Sequence, residues 1–185
     1  MTLIQAQHRG PYAMWPGTPN IPWTIVGSTT YYGAVNELRF DDGQSYIRSP
    51  NGNRTIGFLL PPFDIPDNRT GGYVIRYRMR CDEEGHFARM ELYQTLTLIA
   101  SQSLQELFTT WETISFTLTQ TQINNITNYA ALRLLLTSSA GVSNNYITWC
   151  ELEMPSGGKL LNPWDKNVIY GMQNHAKLGY YRHFP

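Results

Sequence analysis

An all-β fold, two antiparallel sheets packed as a sandwich with one short helix and extended N- and C-terminal arms, is what these 185 residues predict. Three observations carry that expectation. Several runs alternate apolar and polar side chains with period two, the signature of half-buried strands. Clusters of Gly, Pro, Asn and Asp punctuate the runs. Only 15% of residues are charged, against about a quarter in ordinary domains, so Ser, Thr, Asn, Gln and Tyr must carry the surface. Thr, Tyr and Trp favour pleated structure. Parallel strands of α/β proteins read instead as continuous apolar runs between long helices.

The length suits one domain, or one domain with arms. Residues 1–22 hold Pro11, Pro16, Gly17, Pro19 and Pro22 without periodicity. Proline lacks an amide donor, so this segment is excluded from a sheet interior and reads as an arm laid along a surface. The sandwich domain spans 23–155, with turns marked by Asp41-Asp42-Gly43, Pro50-Asn51-Gly52, Asp67-Asn68, Gly71-Gly72 and Ser143-Asn144-Asn145. Tyr73–Arg80 sets Ile75, Tyr77 and Met79 against Arg76, Arg78 and Arg80. Phe87–Gln94 sets Ala88, Met90 and Leu92 against Arg89, Glu91 and Tyr93. Trp111–Leu118 turns Ile114, Phe116 and Leu118 inward and Thr113, Ser115 and Thr117 outward. Thr119-Gln-Thr-Gln122 is a capping box that opens a helix of about two turns, with Ile123 and Ile126 on its buried side. Leu132–Thr137 resumes as a strand with Leu132, Leu134 and Leu136 inward. Tyr146–Met154 sets Thr148, Cys150, Leu152 and Met154 against Trp149, Glu151 and Glu153.

The second arm, 156–185, begins at a Ser156-Gly157-Gly158 hinge and holds every lysine of the chain. Lys159, Lys166, Lys177 and Arg182 against Asp165 give 4 − 1 = +3, which leaves −3 for residues 1–155 because the formal total is zero. A neutral chain lacks the basic footprint of a nucleic-acid binder. No run approaches the roughly 18 apolar residues of a membrane span. The first nine residues carry no apolar segment or cleavage site of a signal peptide. On that reading Cys81 and Cys150 are free, buried thiols, and the sequons at Asn53, Asn68 and Asn125 carry no glycan.

No catalytic constellation emerges. His8, His86, His175 and His183 are scattered, and no paired His or Cys spacing suggests a metal. There is no nucleophile elbow, phosphate loop or dinucleotide fingerprint. Asp82-Glu83-Glu84 before Gly85 reads as a solvated hairpin turn and not as a calcium loop. Glu151 and Glu153 share a strand face, as a glycosidase pair would, but pairing with the arginines of Tyr73–Arg80 accounts for them better. The chain therefore reads as a binding or assembly protein without catalytic, cofactor or metal residues. Trp15, Trp23, Trp111, Trp149 and Trp164, with a dozen tyrosines, would suit a sugar-stacking platform, although Trp111 opens a strand beside core positions and Trp149 suits packing under an arm.

The order of Tyr73-Val-Ile-Arg-Tyr-Arg-Met-Arg80, Met90-Glu-Leu-Tyr-Gln94, Ile99-Ala100, Trp111-Glu-Thr-Ile-Ser-Phe-Thr-Leu-Thr119, Ile126-Thr-Asn-Tyr-Ala-Ala-Leu-Arg-Leu134 and Ile147-Thr-Trp-Cys-Glu-Leu-Glu-Met-Pro155 resembles small virion proteins of tailed bacteriophages. Asn36–Ile47 and Gly57–Pro61 are similar to them too, so the resemblance covers about residues 24–155. Asn128 stands where that pattern has Asp, which puts one turn hydrogen bond in doubt. The resemblance implies a jelly-roll-like sandwich that serves as a capsid decoration (cement) protein, made in the host cytoplasm and resident on the virion surface. Its implied partners are the major capsid protein and further copies of itself in a homo-oligomer, a trimer being the first choice, with no nucleic acid and no membrane. A tail- or fibre-associated virion protein and a carbohydrate-binding module are the alternatives. The arms would supply the interface. Trp15, Trp164, Tyr170, Tyr180, Tyr181 and Phe184 are the candidate anchors, and Lys159, Lys166, Lys177 and Arg182 the steering charges. Deletion of 156–185 is expected to leave a folded domain that no longer joins particles; co-sedimentation with empty shells checks this, and unchanged affinity would shift the interface to the face bearing Arg76, Arg78 and Arg80.

Overall fold

Strand alternation fixes which side of each sheet is dry, and two such sheets close over one apolar interior. The computed structural model describes residues 7–15, 23–35, 43–50, 52–62, 66, 69–139 and 143–155. Its strands are β1 (Gln7–Arg9), β2 (Ala13–Met14), β3 (Thr24–Val26), β4 (Tyr46–Arg48), β5 (Arg54–Leu59), β6 (Val74–Cys81), β7 (Phe87–Gln94), β8 (Thr97–Ser101), β9 (Gln105–Glu106), β10 (Glu112–Thr117), β11 (Leu132–Ser139) and β12 (Asn145–Met154). One short helix, α1 (Gln120–Asn125), sits between β10 and β11. The first sheet runs β10-β6-β12-β4-β3 with β1 added to β12; the second runs β2-β5-β11-β7-β8 with β9 added to β7. All pairings are antiparallel. The fold is therefore the two-sheet antiparallel sandwich that the alternation predicts.

One cluster of buried side chains joins the sheets. Ile75, Tyr77, Met79 and Cys81 from β6 and Cys150, Leu152 and Met154 from β12 meet Ile56 and Phe58 from β5, Met90 and Leu92 from β7, and Leu132, Leu134 and Leu136 from β11. Ile114 and Phe116 are packed against this cluster but only partly buried, because among the described residues β10 is an edge strand paired with β6 alone. Cys81 and Cys150 are free and buried. Desolvation pushes both thiols up, Cys150 further than Cys81. Buried hydroxyls find partners: Tyr77 donates to Gln102 Oε1 at 2.6 Å, and the Tyr73 and Tyr129 hydroxyls meet at 3.0 Å.

The capping box is formed as read. Gln122 N–H donates to Thr119 Oγ1 and Thr119 N–H to Gln122 Oε1. Ile123 and Ile126 are buried. Arg69 Nη2 then caps the helix end, donating at 2.8 Å to the carbonyls of both Ile123 and Ile126.

Two features depart from the sequence reading. Within 1–22, β1 adds to β12 and β2 pairs with β5, so the described part of this arm contributes strands. The prolines are respected, since both strands are two or three residues long and Pro11 lies between them. In β12 the alternation slips: Ile147 pairs with Met79 and Trp149 with Arg78. The unpaired Thr148 is a bulge. It puts Ile147 in the core with Cys150, leaving Tyr146 and Trp149 outside the core cluster. Leu134→Ala is expected to cost about 2–5 kcal/mol and Phe116→Ala less than about 3 kcal/mol, since the edge position leaves less of a cavity; chemical denaturation of both variants checks the order.

Candidate functional site

The bulge, the edge strand and the central strand together build an aromatic cluster on the outer face of the first sheet. Arg76, Arg78 and Arg80 alternate outward along β6. Arg80 is the register partner of Tyr146, and Tyr146 is in turn the partner of Arg48 on β4. Trp111 immediately precedes β10, and Tyr46 opens β4. The Tyr46 ring lies 5.6 Å from Tyr146, edge-on, and 6.4 Å from Trp111. Arg80 occupies the middle: its guanidinium carbon is 3.9 Å from the Tyr146 ring centre and 5.4 Å from that of Trp111. Trp111, Tyr46 and Arg80 are half-buried, whereas Tyr146 is buried beneath them. Trp111 thus belongs to the outer face and not beside the core.

A carboxylate ties this end together. Asp82, one residue beyond β6, accepts from the Tyr146 hydroxyl at 3.0 Å and from Asn144 Nδ2 at 3.1 Å, and Arg80 Nη1 reaches its other oxygen at 3.5 Å. Burial works to raise the Asp82 pKa, but the bonds from Asn144 and Tyr146 and the Arg80 charge outweigh it and hold the carboxyl below its usual value. The Tyr146 hydroxyl moves the other way, raised by burial and by its bond to Asp82. Farther down the same face, Arg76 pairs with Glu151 at 3.3 Å and with Glu153, as the sequence reading assigned. Arg78 donates to Thr113 on β10 at 3.0 Å.

The other site candidates fall elsewhere. Trp15 lies on the outer face of the second sheet, its ring 5.3 Å from Tyr93 and 5.0 Å from the Arg133 guanidinium. At 7% exposure it packs within its own chain. Lys159, Trp164, Lys166, Tyr170, Lys177, Tyr180, Tyr181, Arg182 and Phe184 lie outside the described residues. Among the described residues no group of His, Cys, Asp and Glu is placed to hold a metal ion. Ser143 Oγ, His86 and Asn145 Oδ1 follow one another at 3.0 and 2.7 Å, the order of a nucleophile, base and orienting group. His86 and Asn145 are sealed in the interior at 4% and 0% exposure, and the network holds the start of β12 in place. Sequence reasoning named Arg80 only within a fallback interface face and Asp82 only as a turn residue, and it did not place Asn144, Tyr46 or Tyr146 in a site. Arg80 and Tyr146 lie 66 positions apart and meet only through strand register.

No family model matches the sequence, and no curated protein matches it. Solved structures similar to the chain include the C-terminal CBM6 of the marine laminarinase LamC from Zobellia galactanivorans, at 16% identity and a TM-score of 0.42, covering 81% of this chain and 100% of that one. The carbohydrate-binding module CBM6cm-2 from Cellvibrio mixtus lichenase 5A, solved with cellotriose, is 13% identical with a TM-score of 0.45 over 81% of this chain and 98% of that one. The family 30 carbohydrate-binding module of the Clostridium thermocellum cellulase Cel9D-Cel44B is 12% identical with a TM-score of 0.43 over 77% and 92%. These are likenesses of sandwich architecture alone.

Asp82 has a definite pH signature. Its folded pKa lies below its unfolded value, so its contribution to stability is fully present above the usual aspartate range near about pH 4 and is lost as pH falls through the depressed value. Asp82→Asn is expected to flatten the acid limb of the melting-temperature profile relative to the parent protein, and superimposable acid limbs would contradict the assignment.

Proposed function

We propose that this sandwich is a non-catalytic carbohydrate-binding module. The observation that carries the reading is the cluster of Trp111, Tyr46 and Tyr146 around Arg80, with Asp82 and Asn144 at its edge. A pyranose ring offers two chemistries at once, a flat C–H face and a rim of hydroxyls. The half-buried faces of Trp111 and Tyr46 suit the first, because aromatic contact combines large apolar area with few side-chain torsions. Arg80, Asn144 and Asp82 suit the second, as a few placed polar groups fix the orientation of a ligand on an apolar floor. Binding needs no reorganisation of the floor, since Tyr146 is already held by Asp82.

A second reading, assembly on a phage capsid as a decoration protein, is favoured by a different feature. Leu96, Leu98 and Leu104 are 48–76% exposed around β8 and β9 of the second sheet. Exposed apolar side chains of this kind suit a protein contact. The two readings use opposite sheets.

Affinity gel electrophoresis against a panel of soluble polysaccharides tests the first. Trp111→Ala is expected to lower retention about tenfold or more, the equivalent of about 1.4 kcal/mol, with the melting temperature little changed because Trp111 stands off the core. Absence of retention by every polysaccharide for the parent protein would overturn the reading.

A further inference from the structure

Resting on the sugar-binding reading, we propose that the preferred ligand carries carboxylate groups: a polymer or oligomer containing uronic-acid-type sugars, recognised by Arg80 through a forked pair of hydrogen bonds. Neutral-sugar recognition needs hydroxyl acceptors and donors in balance. This site instead places a guanidinium at its centre and holds it in one orientation.

Three observations support the assignment. The Arg80 guanidinium lies against the Tyr146 ring at 3.9 Å and within 5.4 Å of Trp111, so ring contact positions it alongside the long ion pair to Asp82. The Arg80 side chain is 29% exposed, which leaves it open to a ligand lying over Trp111. Its anionic neighbour is already engaged. Asp82 takes the Tyr146 hydroxyl and Asn144 at 3.0 and 3.1 Å, and meets Arg80 only through Nη1 at 3.5 Å, the long end of hydrogen-bond range. Among the described residues no acceptor takes the donors on Nη2 and Nε, which leaves them for an incoming one. A planar guanidinium matches the two oxygens of a carboxylate edge to edge, which an ammonium cannot do. Arg48, exposed on β4 on the far side of Tyr146, places a second cation where the next charged sugar along a chain would fall.

The contrast along the same face is informative. Arg76, two positions before Arg78 on β6, is neutralised by both Glu151 and Glu153. The pairing at Arg80 is looser, and there the Tyr146 and Trp111 rings flank the cation. Glu83, Glu84 and Glu112 are exposed nearby, so the site has no strong positive field. Recognition therefore rests on the fork and not on net charge, and that makes it separable from adventitious polyanion binding.

Affinity electrophoresis and calorimetry with polygalacturonate and alginate, beside neutral xylan, laminarin and cellulose oligomers and dextran sulfate, test the proposal. The polyuronates are expected to bind at least tenfold more tightly than the neutral glycans and than dextran sulfate. Arg80→Lys, which keeps the charge and loses the fork, is expected to abolish that preference, with near-ultraviolet circular dichroism showing the fold retained. Arg48→Ala is expected to weaken polyuronate binding several-fold and to leave neutral glycans unaffected. Neutral glycans binding as tightly as polyuronates, dextran sulfate binding as tightly, or an Arg80→Lys variant with undiminished preference would overturn the carboxylate assignment while leaving sugar binding intact. If no glycan of either class binds, the sugar-binding reading itself falls.

Discussion

Thr148 is one residue more than β6 can pair. Before it, Ile147 faces the interior opposite Met79; after it, Cys150 faces the interior opposite Tyr77. Two inward residues separated by an odd number of positions are incompatible with regular alternation, so the strand must bulge. The extra residue is held where it slips, its hydroxyl donating to the Ser45 carbonyl at 2.8 Å and its side chain fully buried. Without the bulge, an inward Cys150 would require an inward Tyr146. With it, Tyr146 and Trp149 both join the outer face, and Arg80 acquires the ring on which it lies. β4 pairs with the first half of β12, and Tyr46 at its start lies within reach of Trp111.

The position of that half of β12 is also fixed from the inside. The Asn145 backbone N–H donates to Ser49 Oγ at 2.9 Å, its Oδ1 meets His86 Nδ1 at 2.7 Å, and the other imidazole nitrogen meets Ser143. A buried polar network of this kind specifies one arrangement when its members are paired. Here it pins residues 143 and 145 on the dry side, so that Asn144 and Tyr146 are presented to Asp82 on the wet side. The outer site thus depends on a polar network in the interior, one layer beneath it. This gives the buried histidine a structural role that its serine and asparagine partners alone would not reveal.

Long strands with strict alternation were legible in the sequence because each carries its own instructions. β6, β7, β10 and β11 lie where the period-two pattern places them, and the capping box of α1 is a local motif whose two hydrogen bonds involve residues three apart. β3, β4, β5 and β8 were not read as strands either, and the other failures are nonlocal. β1, β2 and β9 have two or three residues each, too few for a period to register, and they exist because a neighbouring strand supplies an edge. The slip at Thr148 leaves no mark in the composition of β12. Phe116 has the inward parity of a core residue, but parity does not say whether a strand is central or at an edge. The site was illegible for the same reason. Tyr46, Arg80, Trp111 and Tyr146 come from four strands or their approaches, and no spacing between them carries meaning until register is known.

The four residues also differ in how firmly the fold holds them, and the difference suits their proposed work. Arg80 and Tyr146 are register partners on β6 and β12, and Tyr146 is paired on its other side with Arg48 of β4. Trp111 precedes an edge strand that is paired on one side only. An arginine side chain carries about 2 kcal/mol of rotamer entropy, most of which a ligand would have to quench if the chain were free in solvent. Stacking on Tyr146 removes much of that freedom before any ligand arrives, so the guanidinium is preorganised. Trp111, set at the margin and half-buried, offers its ring to whatever lies across it. On the sugar-binding proposal, a preorganised polar group at the centre and an apolar face at the edge both follow from strand order.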